Sequence, residues 1–139
     1  MTPAVVWDCS VAAAMVFENE RDDYVRRVWD VVCRSGALVP AHWPMELVNV
    51  LRVSERRKRI LPSDSGRYLM MMDMLSIQVE GTSAATESMM ELYQSSVERS
   101  LTSYDAAYLL LAQKSGLPLA SKDDDLKEAA LKAGVKLFS

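Results

Sequence analysis

The feature that most constrains this chain is an alternation of very short apolar, β-prone runs with longer stretches of helical periodicity. Val5-Val6-Trp7, Ala37-Leu38-Val39-Pro40, the segment from Ile77 to Val79, Leu117-Pro118-Leu119-Ala120 and Val135-Lys136-Leu137-Phe138 are such runs. Between them apolar side chains recur at helical spacing. A helix from about Glu20 to Cys33 sets Tyr24, Val28, Val31 and Val32 on one face, with Arg21, Asp22, Arg26 and Arg27 elsewhere. Pro44 suits the first turn of the next helix, which turns Leu47, Val48 and Leu51 inward and runs out in Arg56-Arg57-Lys58-Arg59. Further helices are predicted from Ser10, as cap, through Met15, over Pro62 to Met74, from Thr82 to about Val97, from Thr102-Ser103 to Gly116, and from Ser121, as cap, through Leu131. Gly36 and Gly134 are expected stops, and Gly81 closes the third short strand.

Strands that alternate with helices over short connections form a parallel sheet with right-handed crossovers. The expected fold class is α/β, a three-layer α/β/α sandwich around a short parallel sheet. At 139 residues and 50% hydrophobic content the chain suits a single domain over residues 1–139 with one core. Sixteen Lys+Arg against 19 Asp+Glu give a net charge of −3, so any contact with nucleic acid must be local. Cys9 and Cys33 are too few for a disulfide framework and fit a reducing cytosol. Neither a secretory leader nor the roughly 18 uninterrupted apolar residues of a membrane span is read, so a cytoplasmic protein without a membrane partner is expected.

In a parallel sheet the C-terminal strand ends and the N-termini of the following helices share one edge. Asp8 ends the first strand, Glu46 lies two residues after Pro44, Asp105 three after Thr102, and Asp123 two after Ser121. An acid in a helix's first turn gains about 0.3–1 kcal/mol from the macrodipole, and Thr102 with Asp105 has capping-box spacing, so each acid alone has an ordinary explanation. Brought together, the four repel one another, and either their pKa values rise or a cation binds. Oxygen ligands without clustered His or Cys select Mg²⁺ or Mn²⁺ over zinc. A hard cation held by carboxylates suits phosphodiester hydrolysis.

Four segments carry a family resemblance: Val5-Val6-Trp7-Asp8-Cys9-Ser10-Val11-Ala12, Pro44-Met45-Glu46-Leu47-Val48-Asn49-Val50-Leu51, Leu101-Thr102-Ser103-Tyr104-Asp105-Ala106-Ala107-Tyr108 and Leu119-Ala120-Ser121-Lys122-Asp123-Asp124-Asp125-Leu126. In this order they resemble the motifs of PIN-domain ribonucleases, most nearly the VapC-type toxins of toxin–antitoxin pairs. The resemblance implies a PIN-like fold and an endoribonuclease that depends on Mg²⁺ or Mn²⁺, the toxin of a type II system. It implies Asp8, Glu46, Asp105 and Asp123 as the catalytic, metal-holding acids. Ser10 and Ser121 match hydroxyl positions beside the site, and Asn49 and Asp125 match secondary positions that equally suit helix-surface or capping residues. An RNA substrate, a homodimer and a small antitoxin protein are the partners implied. Trp7 is bulky and Cys9 unusual for their places, and Ser121 stands where the family often has Thr; none of these removes a ligand.

Arg52, Arg56 and Arg59, spaced four and three apart with Arg57 and Lys58 beside them, are candidate RNA-phosphate contacts or simply a solvated helix end. His42 and Trp43 precede the Glu46 helix, where either could reach the pocket rim, Trp43 by stacking on a base; core packing is the expectation for Trp43, and a lone His offers no triad. Met70, Met71, Met72, Met74, Met89 and Met90 are expected as adaptable core filler, with a contact surface as the other reading, and Trp29 as one wall of an antitoxin groove. A phosphoryl-accepting receiver-like domain needs a lysine at a late strand end, which Lys122, adjacent to Asp123, does not supply. The alternative to the nuclease is a non-catalytic PIN-like module that binds protein or RNA and whose acids only cap helices.

Overall fold

The short apolar runs become strands β1 (Val5–Trp7), β2 (Ala37–Val39), β3 (Ile77–Val79) and β4 (Leu119–Ala120). They pair in parallel in the order β3-β2-β1-β4, with Val5 opposite Ala37, Val6 opposite Leu38 and Leu119, and Ala37 opposite Ile77. The structure, a computed structural model, describes residues 2–80 and 85–139, and of residues 85–88 the backbone only. Helices α1 (Cys9–Ala14), α2 (Asp23–Ser35), α3 (Trp43–Arg56), α4 (Pro62–Met72), α5 (Ala85–Arg99), α6 (Ser103–Ser115) and α7 (Asp124–Lys132) flank the sheet. The expected start of α5 at Thr82 and the strand stop at Gly81 lie outside the described residues. Among the described residues, no helix is long and apolar enough to cross a membrane.

Because β1 has β2 on one side and β4 on the other, the chain reverses its direction across the sheet between β1 and β4. Ligands of open α/β sheets bind at such a switch point, outside the strands' C-terminal ends. Asp8 and Ser121 stand there, one residue beyond each strand.

Val5 and Val6 are fully buried, as is nearly all of Trp7, which packs edge-on against Trp29 (centroids 6.0 Å apart) and tilted against Trp43 (5.6 Å). Trp43 is a core residue as expected, and Trp29 spans from Trp7 to Tyr68 (6.3 Å) within the same aromatic cluster. The Tyr68 hydroxyl donates to the Ala12 carbonyl (2.5 Å) and ties α4 to α1. Gly36 ends α2 at φ +84°, and a Cβ there would come within 2.4 Å of the Ser76 carbonyl oxygen, so the close approach of β2 to the entry of β3 requires glycine.

Several local expectations are corrected. Helix α2 begins at Asp23, not Glu20, because the Asp22 carboxylate accepts from the Val25 N–H (2.9 Å) and caps it, while Glu18–Glu20 form a 3₁₀ turn. Ser10 and Ser121 are not helix caps. Asp8 occupies the cap position of α1 without a side-chain cap bond, and Asp123 caps α7. Helix α3 ends at Arg56 and Lys58 takes φ 58°, so Arg59 leaves the helix face shared by Arg52 and Arg56. Its guanidinium pairs with Glu20 (2.7 Å) and lies 4.1 Å over the Phe17 ring. The C-terminal run contributes one parallel bridge, Leu119 to Leu137, since β4 is only two residues long and offers no further ladder. Of the clustered methionines, Met72 alone is buried; Met70, Met71, Met74, Met89 and Met90 are exposed, so they are surface and not core filler. Their mixed spacing puts just one of them on the inner face of α4.

Candidate active site

Asp8 is drawn to the switch point by the backbone: its N–H donates to the Ala120 carbonyl (3.0 Å), which extends the β1–β4 pairing by one residue. Its side chain is buried, and Oδ2 accepts from the hydroxyls of Ser10 (2.8 Å) and Ser121 (2.6 Å). Both hydroxyl oxygens accept in turn, Ser10 from the Lys122 N–H (3.1 Å) and Ser121 from the Asp123 N–H (3.0 Å). These bonds fix the direction in which each hydroxyl donates and lace the end of β1 to the loop after β4. Burial raises the Asp8 pKa and the charge of Glu46 adds to it, while the two serine bonds pull it back.

Asp123 divides its carboxylate: Oδ1 accepts from the Leu126 N–H (3.0 Å) as cap of α7, and among the described residues no donor reaches Oδ2. Glu46, in the first turn of α3, accepts at Oε1 from the Tyr108 hydroxyl (2.5 Å), whose oxygen accepts from the Cys9 N–H at the start of α1 (3.3 Å). Burial and the Glu46 bond push the Tyr108 pKa up, so it remains a donor. His42 Nε2 lies 3.8 Å from the same Glu46 oxygen, and the imidazole makes edge contacts with Tyr104 (5.4 Å) and Tyr108 (5.3 Å). Burial lowers the His42 pKa against the pull of Glu46 and Asp8, so the ring is neutral at pH 7. The Cys9 thiol is driven up by burial and by Glu46 and Asp8, which excludes it as a thiolate nucleophile.

Asp105 completes the set from the first turn of α6, whose N-terminus Thr102 caps through a bond from the Asp105 N–H (3.1 Å). Among the described residues no donor reaches the Asp105 carboxylate, so only half of the expected capping box forms. Its pKa is pushed up to about 6, first by burial and then by the charges of Asp123, Asp8, Glu46 and Asp125. Asp123, Asp8 and Glu46 thus lie within electrostatic reach of Asp105, with exposed Asp125 as a weaker neighbour.

The other sequence candidates stand apart. Asn49 is exposed one turn beyond Glu46 and makes no bond among the described residues. Arg52 is engaged by Glu55 (2.6 Å) and Arg59 by Glu20, whereas Arg56 is exposed without an ion pair among the described residues. Sequence reasoning brought His42 to the pocket rim without naming its contact with Glu46, and missed Tyr108 as a neighbour of that acid. Their signals were present, since Tyr108 follows Asp105 by one helical turn and His42 precedes Glu46 by one.

Whether these residues suit a cation turns on their chemistry. Among the described residues, no group of three or more His, Cys, Asp or Glu side chains is already closed around a position for a metal ion. The chemistry of the donor set nevertheless suits a hard cation: it is made of carboxylate oxygens, and one of the acids, Asp105, has acids for neighbours and no donor among the described residues.

The chain was compared with known proteins. The family model described as PIN domain matches residues 5–132. No curated protein matches the sequence. Among solved structures, the chain is similar to the crystal structure of PAE2754 from Pyrobaculum aerophilum, with a TM-score of 0.67 and 25% identity over 93% of this chain and 87% of that one. With a match over nearly its whole length, the chain belongs to the PIN-domain family, whose members are generally nucleases that act on RNA.

Proposed function

We propose that this chain is a Mg²⁺- or Mn²⁺-dependent endoribonuclease, the cytoplasmic toxin of a type II toxin–antitoxin pair, working as a homodimer and held in check by a small antitoxin protein. One observation carries the nuclease: half-buried Asp105 has no donor to its carboxylate among the described residues and feels acids from three other elements, the β1 end, α3 and the start of α7, so that burial and these charges hold its pKa at about 6. Helix capping needs no such convergence, because a cap works on its own helix.

Asp8, Glu46, Asp105 and Asp123 would hold the ion, with Asn49 and Asp125 as secondary neighbours. When bound, such an ion supplies an acidified water and charge stabilisation at the scissile phosphate. The chain's own residues set the frame for that chemistry. Ser10 and Ser121 aim Asp8 and offset part of the effect of its burial, Tyr108 orients Glu46 through its hydroxyl, and Asp123 presents the oxygen that does not cap α7. Asp105 is the acid whose charge is least compensated, and so the one that gains most from a cation. Arg56, with Arg52 and Arg59 nearby in sequence, is the candidate contact for the RNA backbone.

The test is incubation of the purified protein with total cellular RNA, with Mg²⁺ or Mn²⁺ and then with EDTA, beside Asp105→Asn of verified fold. Metal-dependent fragments that vanish with EDTA and in the variant are the expected result. Cleavage that survives Asp105→Asn, or a folded protein that neither cleaves nor binds Mn²⁺, overturns the assignment and leaves a binding module. The toxin assignment is tested separately, by whether a short reading frame beside this one encodes a protein that co-purifies with the chain and stops cleavage.

A further inference from the structure

Ser121, at the end of β4, also lines an open cleft of about 440 Å³. Its walls include Tyr24 and Phe138, Lys122 and Lys127, Asp22, and Ser121 itself. The two rings meet edge to face with centroids 6.2 Å apart. Lys122 Nζ is 3.0 Å from Asp22 Oδ2, and Lys127 Nζ is 3.4 Å from Asp124, an almost fully exposed carboxylate. Among the named walls two lysines face one aspartate. Exposed pairs such as Lys127–Asp124 contribute little, so Lys127 is readily won by a competing anion.

The cleft is continuous with the acids. Ser121 forms its inner wall and donates to Asp8, the Lys122 N–H bonds Ser10, and Tyr24 lies within electrostatic reach of Asp8. Resting on the nuclease reading, we propose that this cleft holds one nucleotide of single-stranded RNA next to the scissile bond. The base lies against Tyr24 and Phe138, and its phosphate against Lys127, with Lys122 behind. An apolar aromatic wall beside cations is the combination that retains unpaired nucleotides, since every base offers a π-face and every link a negative charge. The size matches the usual range of small-ligand pockets.

The probe is a short fluorescent single-stranded RNA with 2′-O-methyl sugars, which resists cleavage, followed by anisotropy in EDTA and in Mg²⁺. Phe138→Ala is expected to weaken binding roughly fivefold to a hundredfold. Lys127→Gln is expected to weaken it several-fold and to reduce the slope of log affinity against log salt by about 0.7, with Lys127→Arg restoring both. Lys132→Gln, on the same helix but outside the cleft, controls for net charge and is expected to bind as wild type does. On a cleavable RNA, both cleft variants are expected to raise KM more than they lower kcat. Wild-type affinity in Phe138→Ala and Lys127→Gln overturns the proposal, whether or not the same variants lose a protein partner. So does an effect of Lys127→Gln no larger than that of Lys132→Gln, or absence of RNA binding by the wild type. Binding that responds to the variants in a protein that never cleaves supports the cleft while removing the nuclease reading; metal-dependent cleavage with unchanged KM in the variants does the reverse.

Discussion

Asp8 and Asp105 face the same site under opposite conditions. Asp8 is the more deeply buried, yet two serine hydroxyls compensate its charge and fix its orientation. Asp105 is only half-buried, yet no donor reaches it among the described residues and its neighbours are acids. The contrast teaches that burial does not by itself decide which carboxylate is strained. What decides it is whether the surroundings answer the charge. Asp8 belongs to a finished hydrogen-bond network, whereas Asp105 is the uncompensated end of an acidic cluster, the place where a cation makes the largest difference.

Removing Asp105 breaks the comparison most severely. Asp105→Asn is expected to lower metal-dependent RNA cleavage by roughly 10²–10³-fold. Its melting temperature at pH 7 is expected to rise above that of the wild type in EDTA, because the repelled charge is gone. A variant that loses activity by unfolding would instead melt lower. Ser121→Ala acts on the opposite member of the pair: Asp8 stays buried with one donor fewer, and cleavage or Mn²⁺ affinity is expected to fall roughly 10–100-fold. Ser121→Thr, which keeps the hydroxyl, is expected to recover most of it, as comparison of kcat and Mn²⁺ titrations would reveal.

The pH dependence sharpens the contrast without mutation. A carboxylate that titrates near 3.8 when unfolded and at about 6 when folded leaves the folded state holding more protons between these values, so stability falls as pH rises from about 4 to 6. Thermal melts in EDTA are expected to show this fall in the wild type and a flatter profile in Asp105→Asn. Saturating Mg²⁺ is expected to restore the loss, by about 2.7 kcal/mol at a hundred times its Kd. The smallest effect concerns the helix that carries Asp105. Thr102→Ala removes the bond to the Asp105 N–H and is expected to cost about 1 kcal/mol in urea unfolding, with cleavage lowered far less than by Asp105→Asn.

The parallel sheet and the four acids were legible because each depends on local signals: a β-prone run closed by Asp8, and acids set a fixed step beyond Pro44, Thr102 and Ser121. The serines were legible through the resemblance as hydroxyls beside the site, able to bind a neighbouring carboxylate, but the local reading of each as a helix cap was wrong. A Ser next to a helix start reads as a cap, and only the folded chain reveals that Asp8, 113 residues from Ser121, claims its hydroxyl. Arg59 was misplaced because nothing in Arg56-Arg57-Lys58-Arg59 marks a helix end; Lys58 adopts a positive φ without the Gly or Asn that usually signals one. The methionines misled for a different reason, since composition carries no direction and their neighbours did not fix which face of the helix they occupy. The Glu46–Tyr108–Cys9 chain joins three elements, and the one-turn step from Asp105 to Tyr108 was the local hint of it in the sequence.

The lacing of Asp8 to Ser121 also sets when the acids can assemble. During synthesis β1 emerges first, and the segment that supplies Ser121 and Asp123 follows more than a hundred residues later. Until that late segment folds back beside β1, Asp8 lacks one of its donors and Asp123 is missing from the cluster. A product truncated before Ser121 therefore carries three of the four acids, Asp8, Glu46 and Asp105, but lacks Asp123 and the Ser121 hydroxyl that holds Asp8. On the nuclease reading, the segment made late in synthesis is the one that completes the site.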